Sequence, residues 1–326
     1  MKSIYKEKDL ILHGKVLRAT PENKLTRIPD DMGTGYIKGY VISPKLRLLV
    51  RQYELIEGFV LDRGLSEEEA NFVMIAFHNV YYAKADMKNK PLQPSVLGRS
   101  LPSLQVSTAG FNYEFFPANK KINSIVITVH KDYLKELLDL KTDNGLLETI
   151  TSSDQSFLFE ELISPQIQDV ADEIVTADPA KELQNLYYKI KAEELIYLLF
   201  VELLKRQDTA LQNLNVADVK KVYEVKDKIL SNIDTPPILT ELVKLSGMSE
   251  SKLKRLFKQI FGNSIYNYYQ SVRMKEAAYL LKEEKLAVSE VGYRLGFSNL
   301  SHFTRLFETH HGIKPKKFRG RMKSNI

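Results

Sequence analysis

The 326-residue chain has no cysteine, and that one absence removes several kinds of chemistry. Disulfides, thiolate nucleophiles and cysteine metal sites are all excluded, and the composition fits a reducing compartment. Long apolar runs are also missing: none approaches the ~20 residues needed to span a bilayer, so no membrane association is expected. The opening stretch MKSIYKEKDLILHG has only the short apolar LIL between charges, which predicts no secretory signal and a cytoplasmic protein. His13, His78 and His130 are scattered, without His-x-His or His-Glu-x-x-His spacing, so no metal site is expected. GTGYIKG (33–39) lacks the spacing of a phosphate loop or dinucleotide fingerprint. No glycine-framed serine nucleophile occurs. The tyrosine-rich HNVYYAKADM (78–87) reads either as pocket lining or as core. No catalytic residue and no cofactor is expected.

What is present begins with length and charge. The chain exceeds the usual ~100–200 residues of one domain, so two domains are expected, and a hydrophobic fraction of 44% is enough for real cores. Net charge is +6, unevenly spread. From Asn215 onward there are 21 Lys and Arg against 11 Asp and Glu, a balance of +10, while the first 214 residues sum to −4. A basic C-terminal third on a mildly acidic body points to a polyanion-binding module joined to a different kind of domain.

Up to about residue 130, short apolar runs are punctuated by Gly and Pro: YIKGYVI (36–42), LRLLV (46–50), FVMIAF (72–77), FNYEFF (111–116) and SIVITV (124–129). Their β-branched and aromatic content predicts strands, although SEEEANFVMIAF also reads as a capped helix start. From Lys131 the period becomes helical. KDYLKELLDL places Leu134, Leu137 and Leu138 together, and Ser164 with Pro165 marks a helix start. PAKELQNLYYKIKAEELIYLLFVELLKRQ (179–207) carries a wide apolar stripe of Leu183, Leu186, Ile190, Leu195, Leu198, Leu199 and Leu203. Such a stripe must be buried, on the β-rich body or on a second copy of the chain. The polar QDTALQNLN that follows reads as a linker.

Beyond the linker the chain writes one phrase twice. GMSESKLKRLF (247–257) and GFSNLSHFTRLF (296–307) both begin Gly-x-Ser and end Arg-Leu-Phe. Short helices are predicted at 218–232, 238–246, 250–261, 264–283, 288–295, 299–310 and 315–321, with Ser249 and Ser298 as N-caps. Gly247 and Gly296 fall in turns where a positive φ suits only glycine. Helix, short glycine turn, helix is a helix-turn-helix, here in two units, 238–261 and 288–310. At 100° per residue, Leu253, Leu256, Phe257 and Ile260 share one side of the first second-helix, as Phe303, Leu306, Phe307 and His310 do in its repeat. The opposite sides carry Ser251, Lys254, Arg255 and Lys258, and Ser301, Thr304, Arg305 and Glu308 with His302 on the shoulder. A buried apolar side beneath a polar, mostly basic one suits a helix in the major groove of double-stranded DNA. There Arg forks to guanine O6 and N7, while Ser, Thr and His reach base edges or phosphates. The connector, as one helix of about 20 residues, is ~30 Å long, close to the ~34 Å repeat at which two units meet successive groove segments.

These residues carry a resemblance. GMSESKLKRLFKQIFGNSIYNYYQSVRMKEAAYLL, followed by VSEVGYRLGFSNLSHFTRLFETHHGIKPKKFR, strongly resembles the DNA-binding domain of AraC/XylS-type bacterial transcription regulators. Gly262, Arg273, Ala277, the Gly-Phe-Ser turn at 296–298, Gly312, Pro315, Phe318 and Arg319 are its most specific points. The resemblance covers about a third of the chain. It implies base contacts from Ser251, Lys254 and Arg255 in the first unit and from Ser301, His302, Thr304 and Arg305 in the second. Val243 and Gly292 stand where the family usually has Ala, and Glu308 replaces a usual basic residue. A carboxylate near phosphates is repulsive, unless it accepts from a cytosine amino group. The N-terminal segments are loosely similar to the pyochelin-regulator-like branch.

The fold class expected is α+β. A β-rich, cupin-like barrel (1–130) and a helical dimerisation segment (131–206) make a ligand-sensing domain. After a linker (207–217) comes an all-α DNA-binding domain (218–321). The expected partners are double-stranded DNA, a second copy of the chain, a small-molecule effector and RNA polymerase. A regulator whose N-terminal domain only dimerises or binds a protein partner remains the alternative. An enzyme with a DNA-binding tail, of the alkyltransferase kind, would need the cysteine nucleophile that the chain lacks.

Overall fold

The computed structural model describes residues 9–12, 15–18, 25–57, 59–62, 71–79, 103–108, 113–116, 119, 121–139, 145–152, 157–206 and 214–320. His13, the segments 66–70 and 80–87 and the linker residues 207–213 lie outside them. The described chain divides into two compact units between residues 214 and 215.

The N-terminal unit is built on an antiparallel seven-stranded sheet. Its strands are β3 (Leu25–Arg27), β4 (Gly33–Ser43), β5 (Leu46–Leu55), β7 (Phe72–His78), β8 (Ser103–Thr108), β10 (Lys121–His130) and β11 (Leu158–Leu162). Their order is β11-β8-β7-β10-β5-β4-β3. Two further pairs are β1 (Asp9–Leu12) with β2 (Lys15–Arg18) and β6 (Phe59–Asp62) with β9 (Tyr113–Phe116). Residues 72–78 are strand, so the strand reading of FVMIAF holds there. The expected closed barrel is not formed by the described strands, because β3 and β11 end the sheet without pairing to each other.

Alternation explains what fills one face instead. Leu46, Leu48, Val50, Val73, Ile75, Phe77, Leu104, Val106, Ile125, Ile127 and Val129 point to one side. There they pack with α1 (Lys131–Leu138), α2 (Gly145–Ser152), α3 (Pro165–Thr176) and α4 (Gln184–Leu203) in a single core. Helices, not a facing strand layer, cover this side. Beyond Val50 the ten-residue β5 buries Tyr53 and Leu55 on the other face, in a small cluster with Ile28 and Ile37. Ser164 caps α3, accepting from the Ile167 amide at 3.5 Å.

The single wide stripe expected on α4 resolves into two. Leu195, Leu199 and Leu203 are fully buried in the core, and Tyr188 joins them, its hydroxyl accepting from that of Tyr40 at 2.8 Å. Leu183, Leu186 and Ile190, with Tyr197 and Leu204, are instead 52–64% exposed. A sheet can cover only one side of a helix, so a helix apolar all round keeps a second seam in the open. At its end Arg206 is pinned to β11, donating to Glu161 Oε1 at 2.5 Å and to the Glu160 carbonyl at 2.8 Å.

The C-terminal unit is all helix: α5 (Val216–Ser231), α6 (Leu239–Ser246), α7 (Glu250–Phe261), α8 (Ile265–Lys282), α9 (Val288–Arg294), α10 (Leu300–His311) and α11 (Pro315–Gly320). The 18-residue α8 runs through its middle, ~27 Å long at the usual rise. It is buried on nearly every side, by Tyr268, Tyr269, Val272, Met274, Ala277 and Leu281 among others.

Candidate nucleic-acid interface

The first helix-turn-helix is α6, a glycine turn and α7. Gly247 takes φ +63° and donates its amide to the Val243 carbonyl at 3.0 Å, closing α6. Ser249 then starts α7, accepting from the Lys252 amide at 3.4 Å. Leu253, Leu256, Phe257 and Ile260 are buried, and the rings of Phe257 and Phe261 meet Tyr268 of α8 at 5.5 and 5.2 Å. This anchoring turns Ser251, Lys254, Arg255 and Lys258 to solvent.

The second unit repeats the plan with one change. Gly296 takes φ +77°, but the N-cap of α10 is Asn299, not the expected Ser298. The Asn299 side-chain oxygen accepts from the amides of Ser301 and His302 at 2.9 and 3.1 Å. Asn and Ser cap about equally well, and five residues separate α9 from α10 where three separate α6 from α7. Gly292 lets α9 lie close to α10, since a Cβ there would meet Leu300 Cδ2 at 2.5 Å. Phe303 and Phe307 are fully buried, Leu306 is half-buried, and His310, expected on the same side, is exposed. Ser301, His302 and Arg305 are exposed, with Thr304 and Glu308 half-exposed. His302 stands edge-on to Phe297 at 5.7 Å.

The two polar faces differ in how their charges are held. Lys254 bonds to Glu250 at 2.6 Å, and Lys252 to Asp218 at 2.9 Å. The side chains of Arg255, Lys258 and Arg305 have no such partner among the described residues, so three cations stand unneutralised on two helices. In the second unit Ser301, Thr304, Arg305, Glu308 and Lys314 line a surface notch of about 360 Å³. Lys314 was not singled out from sequence, where its only signal is the basic run KPKK (314–317). Behind this face His311 packs on Phe307 at 4.3 Å, and its Nε2 meets the Met274 carbonyl at 3.0 Å. Burial holds its imidazole below the ordinary pKa of 6.5.

Known proteins match this unit. A helix-turn-helix domain family matches residues 242–321. The chain is 31% identical to the Msm operon regulatory protein of Streptococcus mutans over 115 residues, which are 35% of this chain and 41% of that protein. It is 31% identical to the multiple antibiotic resistance protein MarA of Escherichia coli K12 over 102 residues, 31% of this chain and 80% of MarA. Among solved structures, a transcriptional regulator of AraC-type DNA-binding domain from Chromobacterium violaceum aligns at 28% identity and a TM-score of 0.31, covering 34% of this chain and all of that one.

Proposed function

The chain belongs to the AraC/XylS family of DNA-binding transcription regulators, and from that premise we propose that it reads duplex DNA with two recognition helices, α7 and α10, set into successive major-groove segments. One observation carries this reading. Two helices of 12 residues, each entered through a positive-φ glycine turn, bury an apolar side and present a polar side bearing unneutralised arginine. In this proposal Arg255 and Arg305 fork to guanines, and Ser251, Lys254, Ser301, His302 and Thr304 reach neighbouring edges or phosphates, with Lys258 on phosphate. The protein works in the bacterial cytoplasm, where its operator is. The test is binding to a random duplex pool at several salt concentrations. Log affinity should fall with log salt at roughly −0.9 per neutralised phosphate. A folded chain with no salt-sensitive binding to any member of the pool would refute the reading.

The N-terminal unit, residues 1–206, supplies control, as a homodimer whose pairing or packing answers to a small molecule bound by residues of about 30–130. The exposed seam of α4 supports the dimer. Its N-terminal half carries Lys189, Lys191 and Glu193, and its C-terminal half Glu194 and Glu202. One half is net positive and the other net negative, so an antiparallel second copy brings opposite signs together. The effector is supported by Ser107 and Ser124, each 1% exposed, whose hydroxyl oxygens lack a partner in the described structure. Alternation puts both on the sheet face away from the helices, and an unmet buried hydroxyl is costly unless something occupies it. Coupling of effector to DNA would be a few kcal/mol and reciprocal. If no metabolite in a broad panel alters melting temperature or DNA affinity, the second reading, a domain that only dimerises or binds a protein, takes its place.

A further inference from the structure

A helix between two binding units fixes their distance, but the rotation of each unit about that helix is set by side-chain packing. Arg273, on α8, is 3% exposed; among the described residues no carboxylate bonds to it, and the charge of Asp234 reaches it only through space. Its guanidinium is spent on other things. Nη2 donates to the carbonyl of Leu295, where α9 ends, and Nη1 donates to Gln270 Oε1 at 3.1 Å. The guanidinium lies 3.9 Å from the ring of Phe297 and 4.9 Å from that of Tyr269. Phe297 in turn touches His302 and Phe303 of α10, at 5.7 and 5.2 Å. One residue away, Gly296 fits against the first unit: a Cβ there would lie 1.8 Å from the carbonyl oxygen of Asp234, in the segment that leads from α5 into α6. Three things therefore meet at one point: the entry to the first unit, the connecting helix and the turn of the second.

A buried guanidinium without a bonded carboxylate is expensive, and only a planar fork with an aromatic face on each side makes these contacts together. A methionine or leucine would fill the space more cheaply if filling were all that mattered. We propose that this junction sets the angle between α7 and α10, making Arg273 a positioning residue for the simultaneous reading of two groove segments. The inference rests on the two-helix reading above.

Its test uses the full chain and a duplex that the wild type selects from a random pool. Three probes are compared: the whole site, each half with the other scrambled, and the whole site with one or two base pairs inserted between halves. Loss of geometry forfeits the gain from binding both halves at once, so Arg273→Lys and Gly296→Ala should each weaken whole-site binding by about 10- to 100-fold, leave each half within about twofold, and flatten the penalty for inserted base pairs. Gly296→Ala leaves every charge in place and so separates geometry from electrostatics. Equal losses on half and whole sites would overturn the proposal, as would an unchanged spacing penalty in the folded variants. If both variants unfold, the junction is a folding element and not a positioning one. A wild type that selects no duplex refutes the two-helix reading itself, before any variant is made.

Discussion

Replacing Ile190 and Tyr197 by Glu should give a folded monomer, whereas replacing Leu195 by Glu should give no folded N-terminal unit at all. The three residues lie within two turns of the same helix and differ only in which way they face. Ile190 is 52% and Tyr197 64% exposed, and Leu195 is fully buried. A charge at Leu195 would be buried and unpaired, which costs several kcal/mol against a total stability of about 5–15 kcal/mol. At Ile190 the monomer loses little, since exposed positions usually shift stability by less than about 0.5 kcal/mol. The dimer loses more. Fully burying such a side chain is worth about 1.5–3 kcal/mol, so covering the exposed half recovers about 1 kcal/mol per residue per copy. Two residues in two copies make about 4 kcal/mol, nearly a thousandfold in dissociation constant. Sedimentation velocity gives the oligomeric state and circular dichroism the fold. A double variant that remains dimeric, or a Leu195→Glu protein with an unchanged spectrum and melting curve, would refute the assignment of the two faces.

Arg255→Ala and Arg305→Ala should each cost ~1–3 kcal/mol and relax preference at one base position, while Lys258→Ala weakens all sequences alike and makes the salt slope shallower by about one unit; competitive titrations on single-base variants of the site check both. Asn299→Ala should lower the stability of the C-terminal unit by about 1 kcal/mol, with Ser298→Ala near neutral, and thermal melts of the two would reverse that order if the cap were misassigned. His311 has a folded pKa below the unfolded 6.5, so the unfolded chain binds more protons just below that value. Stability conferred by the neutral ring is therefore complete above about pH 7 and declines as pH falls through 6.5 toward the folded value. Melting temperature followed over this range should show the decline, reduced in His311→Asn.

The C-terminal unit was legible because its signals are local. A glycine with positive φ, a capping serine and a 3.6-residue period lie within a dozen residues of each other, and the helix expected at 250–261 is observed at Glu250–Phe261. The N-terminal unit was less so. SLQVST (103–108) and LFEEL (158–162) are short and mixed in polarity, and they become strands through partners distant in sequence: the first pairs with β7, and the second reaches back about 50 residues to the first. On α4, periodicity counts apolar residues but cannot divide them between a sheet and a second partner, which is why Leu195 and Ile190 were placed in one stripe. Arg273 stood out in sequence only through the family resemblance. Its burial between Tyr269 and Phe297 has no local pattern, because only Tyr269 and Gln270 lie on its own helix, while Leu295 and Phe297 come from the turn before α10, more than 20 residues on.

Guanine N7 methylation interference on the selected duplex tests the central claim most directly. If α7 and α10 read successive groove segments, two clusters of interfering guanines should appear on one face, about 10–10.5 base pairs apart. Arg255→Ala should erase one cluster and Arg305→Ala the other. A single cluster, or two that respond together to either substitution, would contradict it.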